Sequence, residues 1–209
     1  MNKNRIAVYS ILLIYLAIVV LHHLFGYTGH FGFDDLHYAE LADGLLKGNV
    51  DFEDHYSYRF PVVLLTSLFY LLFGINDFSS ALPAMAITIV ILIIVFNILR
   101  EHGPKTIILG LSLTVFSNWF LFYSDKLMPD IYVALSVIWA LAVLNRYRYK
   151  SGQRKTAGHA FLFAFALLLG FMSKGTIVLM LPLLLYLLVT DIIQKRNLKF
   201  WGYSLISGF

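Results

Sequence analysis

Phe60–Phe73 reads FPVVLLTSLFYLLF, and whether this run crosses a membrane decides the fold of the chain. It carries no charge and has 14 residues. As a helix it would be about 21 Å long, short of the roughly 30 Å of bilayer hydrocarbon. Longer apolar runs flank it: Ile6–Phe25 before it, then Ser80–Leu99, Thr106–Tyr123, Ile131–Tyr147, Ala157–Ser173 and Thr176–Ile193. Apolar residue types make up 59% of the 209 residues, where soluble domains hold about 45–50%. A chain this apolar belongs in a bilayer, and the expectation is an all-α, polytopic membrane protein forming a single helical module over residues 1–209. There is no cysteine, which excludes disulfides and thiolate metal sites.

Charge decides between the two topologies. If every run crosses and the N-terminus is cytoplasmic, the Arg100–Lys105 and Arg146–Lys155 loops lie outside, against the positive-inside rule. If Phe60–Phe73 only dips into the outer leaflet, six spans remain. Lys3, Arg5, Arg100, Lys105, Arg146, Arg148, Lys150, Arg154, Lys155, Lys195, Arg196 and Lys199 then all become cytoplasmic, 12 of the 16 basic residues. This second topology is the one expected. The net charge of +4 therefore orients the chain in a membrane and does not point to nucleic acid. Ile6–Phe25 follows Lys3 and Arg5, is too long for a signal-peptide core and lacks a small-x-small cleavage site, so it reads as a retained signal anchor. Phe200–Phe209 opens one more apolar run, too short to span, which predicts either the N-terminal part of a longer chain or a natural truncation.

Four basic residues fall outside in this topology: Lys47, Arg59, Lys126 and Lys174. They share that face with a concentrated acidic stretch, His30–Gly48, HFGFDDLHYAELADGLLKG. From Asp34 it reads as a helix with Tyr38, Leu41, Ala42, Leu45 and Leu46 in one apolar stripe. His37, Glu40, Asp43 and Lys47 take the other side, and Gly48 and Asn49 end it. Such a helix would lie on the membrane surface with its stripe down. Asp34 and Asp35 stand at its start, where a carboxylate either caps the free N–H groups or faces a substrate as a general base.

The other candidates carry similar alternatives. Arg59, in HYSYR (His55–Arg59), is either an interfacial snorkelling cation or an anion site, and Tyr56 and Tyr58 suit an aromatic belt. Asp130 in YSDKLMPD (Tyr123–Asp130) is either a first-turn helix charge or an active carboxylate, while Asp125 and Lys126 could simply be solvated. Lys174 sits between two spans with almost no loop around it, a costly depth for a charge: it is either a functional position or a cation snorkelling to the interface. Carboxylates Asp34, Asp35 and Asp130 with cations Arg59, Lys126 and Lys174 on one face suit a lipid-linked phosphate, whose charge lies at that height. A transporter or a lipid-binding subunit without chemistry is the alternative, but transporters place charges near the midplane on broken helices.

Four stretches in order carry a resemblance: FDDLHYAELADGLLKGN (Phe33–Asn49), LFGINDFSSALPA (Leu72–Ala84), LMPDIYVAL (Leu127–Leu135) and FMSKGTIVLMLP (Phe171–Pro182). Together they resemble the polyprenyl-phosphate-sugar glycosyltransferases of the protein O-mannosyltransferase and aminoarabinose-transferase superfamily, with the GT-C fold. The resemblance implies an enzyme that transfers a sugar from a polyprenyl-phosphate donor to an acceptor hydroxyl on a protein, lipid or glycan. It implies a bacterial plasma membrane, with the active site external. Asp34 would be the base with Asp35 its neighbour, and Asp130 the second active-site carboxylate. Lys174 would bind the lipid phosphate, supported by Arg59, Lys126, His37 and Tyr38 around the substrate. No cofactor is implied firmly, and a divalent cation is left open. Two positions depart from the pattern. His37 stands where some relatives carry Arg, and Ser80–Ala81 where many carry Arg before Leu-Pro.

Overall fold

A computed structural model describes residues 3–30, 32–49, 53–150, 156–194 and 196–207. The Arg154, Lys155 and Lys195 charges of the topology count lie outside these residues. The described residues form helices α1 (Lys3–Gly26), α2 (Phe33–Leu46), α3 (Phe60–Phe73), α4 (Asp77–Leu99), α5 (Pro104–Val115), α6 (Asn118–Tyr123), α7 (Asp130–Lys150), α8 (Thr156–Ser173), α9 (Leu181–Ile193) and α10 (Leu198–Ser207). Two 3₁₀ segments, Arg100–His102 and Gly175–Met180, join them. Among the described residues four stretches are long and apolar enough to cross a bilayer: Val8–Gly26, Asp77–His102, Asp130–Arg148 and Gly175–Ile193. The apolar helices Phe60–Phe73, Pro104–Val115 and Ala157–Ser173 are shorter. The protein is a polytopic helical membrane protein, and its contacts divide it into two compact units, Met1–Tyr132 and Val133–Phe209.

In the first unit α4 is the central element. It packs on α1, α3 and α5 and buries Ile87, Ile91, Leu92 and Phe96. Its start is fixed by a reciprocal cap. Asn76 Oδ1 accepts from the Ser79 backbone N–H at 2.9 Å, and the Asn76 N–H donates to Ser79 Oγ at 3.1 Å, satisfying donors that a helix start leaves open. Gly74 ends α3 two residues earlier, so α3 and α4 form a tight hairpin, tied by a 2.6 Å hydrogen bond between the Tyr70 hydroxyl and Ser80 Oγ.

Helix α3 has the bounds expected from the sequence. It buries Val62, Val63, Thr66, Ser67 and Tyr70, while Leu64, Leu68, Leu71 and Leu72 face outward. The stripe of α2 packs on a neighbouring helix. Tyr38 and Ala42 are fully buried because α2 packs along α3. The small Ser67 side chain lets the helices approach and donates to the Ala42 carbonyl at 2.9 Å. One expected span is also broken. Thr106–Tyr123 is two helices, since Ser117 adopts an extended conformation and its carbonyl starts α6 by accepting from Phe120 and Leu121. Helix α5 alone is only about 18 Å long.

The second unit has an aromatic core. Ala140, Val143 and Leu144 of α7 and Ala160, Phe163 and Ala166 of α8 meet Phe200 and Trp201 of α10. Tyr147 stacks on Phe200 at 4.5 Å, and Phe163 meets Trp201 edge-on at 5.9 Å. The last apolar run is thus a short helix folded against α8. Thr176–Ile193, expected as one helix, begins as 3₁₀ and becomes α-helical at Leu181. Pro182 lacks the N–H that a continuous α-ladder would bring to Val178. At the other end of α8, Gly170 meets Ser136 and Ile177 so closely that a Cβ there would lie 2.8 Å from Ser136 Cβ.

Candidate active site

The first turn of α2 is preceded by Gly32, whose φ of +116° is a bend that side chains rarely adopt. Gly32 occupies the N-cap position without a side-chain cap bond, so neither Asp34 nor Asp35 is the cap. Both fall inside the first turn, where the helix dipole favours a carboxylate. Their environments differ. Asp35 is fully buried, whereas Asp34 is half-buried and faces the turn that precedes α3.

That turn is built by Asp54. Its Oδ1 accepts from the Tyr56 backbone N–H at 2.9 Å, and its carbonyl accepts from the Ser57 N–H at 3.0 Å. Its Oδ2 accepts from His37 Nε2. The Tyr56 N–H, followed by His37, holds the Asp54 carboxyl below the usual carboxylate range. Tyr56 then stands against α2. Its hydroxyl donates to Asp34 Oδ1 at 2.9 Å, a bond that raises the phenol above its ordinary value. Asp34 Oδ2 accepts no hydrogen bond from the described residues.

Arg59 closes the cluster. Its Nη1 donates to the Tyr38 hydroxyl, and its guanidinium carbon lies 4.7 Å from the Tyr56 ring centre and 5.6 Å from that of Tyr38. Burial pushes the Tyr38 phenol well up, with Arg59 opposing. The rings of His37 and Tyr38 both meet Tyr56 edge-on, at 4.9 and 5.4 Å, and Phe33 stacks on His37 at 5.5 Å. A carboxylate with one oxygen held by a phenol, beside a delocalised cation, can accept a proton and steady an anion.

The structure thus brings Asp34, His37, Tyr38 and Arg59 together, with Asp35 on the buried side of the same turn. Lys126 is elsewhere in the first unit. It and Asp125 are 5% and 2% exposed, not solvated, because the segment after α6 closes under the α1–α2 linker. Asp130 is the first residue of α7 and half-buried, so its charge falls in the first turn. Lys174 belongs to the second unit. It is an extended residue between α8 and the 3₁₀ segment, half-buried, with its N–H donating to the Gly170 carbonyl at 2.9 Å. Lys47 pairs with Asp43 one turn back at 2.5 Å. Among the described residues no group of three or more His, Asp or Glu side chains is placed to hold a metal ion.

Sequence reading missed Asp54 and Tyr56. Tyr56 passes as a belt aromatic, and only the Asp-x-Tyr spacing of a side-chain-closed turn could have marked it. Tyr58, beside it, is mostly exposed, as a belt residue is.

Residues 61–208 match the family model described as dolichyl-phosphate-mannose-protein mannosyltransferase. No curated protein and no solved structure matches the chain. The matched region holds Lys126, Asp130 and Lys174 and begins two residues after Arg59, so the α2 cluster stands just ahead of it.

Proposed function

Because the chain belongs to the dolichyl-phosphate-mannose-protein mannosyltransferase family, and is a multi-pass membrane glycosyltransferase of the GT-C kind, we propose that it moves a hexosyl or pentosyl group from a polyprenyl-phosphate donor to an acceptor hydroxyl. Asp34 Oδ2 takes the hydroxyl proton as the acceptor oxygen bonds to the anomeric carbon. The bond from that carbon to the phosphate oxygen breaks, its electron pair leaves with the polyprenyl phosphate, and the anomeric centre inverts. Tyr56 holds the other oxygen of Asp34 and fixes its direction. Arg59 offers a charge for the departing phosphate, the kind of electrostatic support that such a leaving group needs. Lys174, by its position between spans, and Asp130, as second carboxylate, are proposed for donor binding and for the acceptor side.

The observation that carries this reading is the half-buried Asp34, bonded through one oxygen only, in the same cluster as Arg59. Asp34→Asn, assayed in membranes with a polyprenyl-phosphate sugar and scored for release of polyprenyl phosphate, is expected to lose about 10²–10⁴-fold in rate. Retained transfer would remove Asp34 as the base.

We also propose that the N-terminus is cytoplasmic in a bacterial plasma membrane and that α2 and the loop before α7 face outward. The asymmetry of Lys and Arg supports this orientation. A reporter fused at Asn76 is then external and one at Gly152 cytoplasmic. A cytoplasmic reading at Asn76 would overturn the topology. A transporter without chemistry is less well supported, since Asp34, Arg59 and His37 belong to a short helix and a turn and not to a broken span.

A further inference from the structure

Lys126 is one of the cations that the sequence puts forward for the substrate, yet its ammonium is committed inside the protein. Nζ donates to Thr28 Oγ1 and to the Gly29 carbonyl, each at 3.1 Å. It lies 4.8 Å from the centre of the Tyr27 ring and 3.8 Å from Asp125 Oδ1. Asp125 is paired in turn with the buried His23, whose Nδ1 is 3.4 Å from Oδ2. Three donors of a lysine thus have an acceptor or counter-charge each.

What Lys126 grips is the linker between α1 and α2. Tyr27, Thr28 and Gly29 lead directly into Gly32 and the first turn of α2. The same linker is held from α4, where the Tyr27 hydroxyl donates to the Asp77 carbonyl at 3.1 Å and His30 approaches the Asp77 carboxylate at 3.7 Å. Tyr27 is also bracketed by His23, ring to ring at 4.8 Å. Asp35, Asp77 and Asp125 all bear on its phenol, which burial first and these carboxylates next push up to about 12. The linker is therefore fixed by contacts with segments 50 and 98 residues further along the chain, and the direction in which α2 leaves it is fixed with it.

We propose that Lys126 is a positioning residue, not a phosphate ligand: by clamping the Thr28–Gly29 backbone it sets where the first turn of α2 begins, and so the place at which Asp34 meets Tyr56. The proposal deepens the reading of Asp34 as the base and rests on it for its functional meaning. Buried charges of this kind hold geometry because removing one partner strands the other.

The test is hydrogen exchange of the full chain in detergent micelles, paired with binding of polyprenyl phosphate as the probe. In Lys126→Met, the amides of His37 to Leu41, whose bonds close the first turns of α2, should exchange about tenfold faster or more. Those of Ile87 to Leu92 in α4 should not change, and polyprenyl phosphate affinity should hold. Lys126→Arg, which keeps donors for both oxygens, should restore slow exchange. Loss of affinity with unchanged α2 exchange would make Lys126 a ligand and overturn the proposal, as would unchanged exchange with unchanged affinity. Should Lys126→Met fail to fold, Thr28→Val removes one acceptor and should speed the same amides, and unaltered exchange there would also overturn the proposal. None of these readouts needs turnover, so they stand apart from the fate of the base assignment.

Discussion

Two carboxylates, Asp34 in the first unit and Asp191 in the second, differ in how far their oxygens are occupied by donors. Asp191 is fully buried, and four side chains donate to it. Oδ1 takes Arg148 at 2.8 Å, Arg196 at 3.1 Å and Asn197 at 3.2 Å, and Oδ2 takes Trp201 at 2.9 Å. With its lone pairs occupied it has no capacity for a proton or a ligand, and it locks the turn between α9 and α10 to α7. Asp34 is half-buried and, among the described residues, carries the Tyr56 hydroxyl alone. It keeps the capacity that Asp191 has given up. Burial and charge alone do not separate these two residues; the occupancy of their oxygens does.

The comparison breaks if the two residues respond alike to substitution. The largest expected contrast is in rate, where Asp34→Asn loses transfer by about 10²–10⁴-fold while expression and thermal stability stay at the parent level. Asp191→Ala should do the opposite. It strands the Arg148 guanidinium and should cost about 3–5 kcal/mol, read as a lower melting midpoint of the protein in detergent. If it melts with the parent, Asp191 is no lock. Next comes Arg59→Ala, which removes a cation from over two aromatic rings and a donor from Tyr38. About 1–2 kcal/mol is expected, seen as roughly tenfold weaker binding of polyprenyl phosphate. Arg59→Lys should recover only part, because a lysine lacks the flat guanidinium face.

The smallest effect is on pH. Asp54 has a folded pKa below its unfolded value of about 3.9. Its contribution to the 53–59 turn is therefore present above that value and lost as pH falls through the folded one. Protease nicking in the turn should rise only below about pH 4, and Asp54→Asn should be nicked equally across the acid range. A transition near neutrality in the parent would assign the turn to another group.

Much of the fold is legible in the chain because its punctuation is local. Pro61 and Gly74 bracket α3, so its bounds follow from neighbours in sequence, while α4 opens at Asp77, three residues ahead of the expected Ser80, because Asn76 and Ser79 cap each other. The break between α5 and α6 depends on Ser117 and Asn118 alone, inside a run apolar enough to pass as one span. The site is legible in part for a related reason. Asp34, His37 and Arg59 stand out as charges in an apolar chain. Lys126 stands out equally, but its partners Thr28 and Gly29 lie nearly a hundred residues away, and no local pattern marks its burial. The role of Tyr56 depends on the path of a turn, and composition carries no trace of it.

Gly170 has a consequence for Lys174 that reaches beyond packing. Four residues before the lysine, it accepts the Lys174 N–H and lets Ser136 and Ile177 close over the end of α8. The place of the Lys174 backbone at the end of α8 is thus registered by a missing methyl group. Alanine at 170 would push against Ser136 Cβ and displace the corner that carries the lysine. One absent carbon at 170 thereby sets the corner from which Lys174 projects.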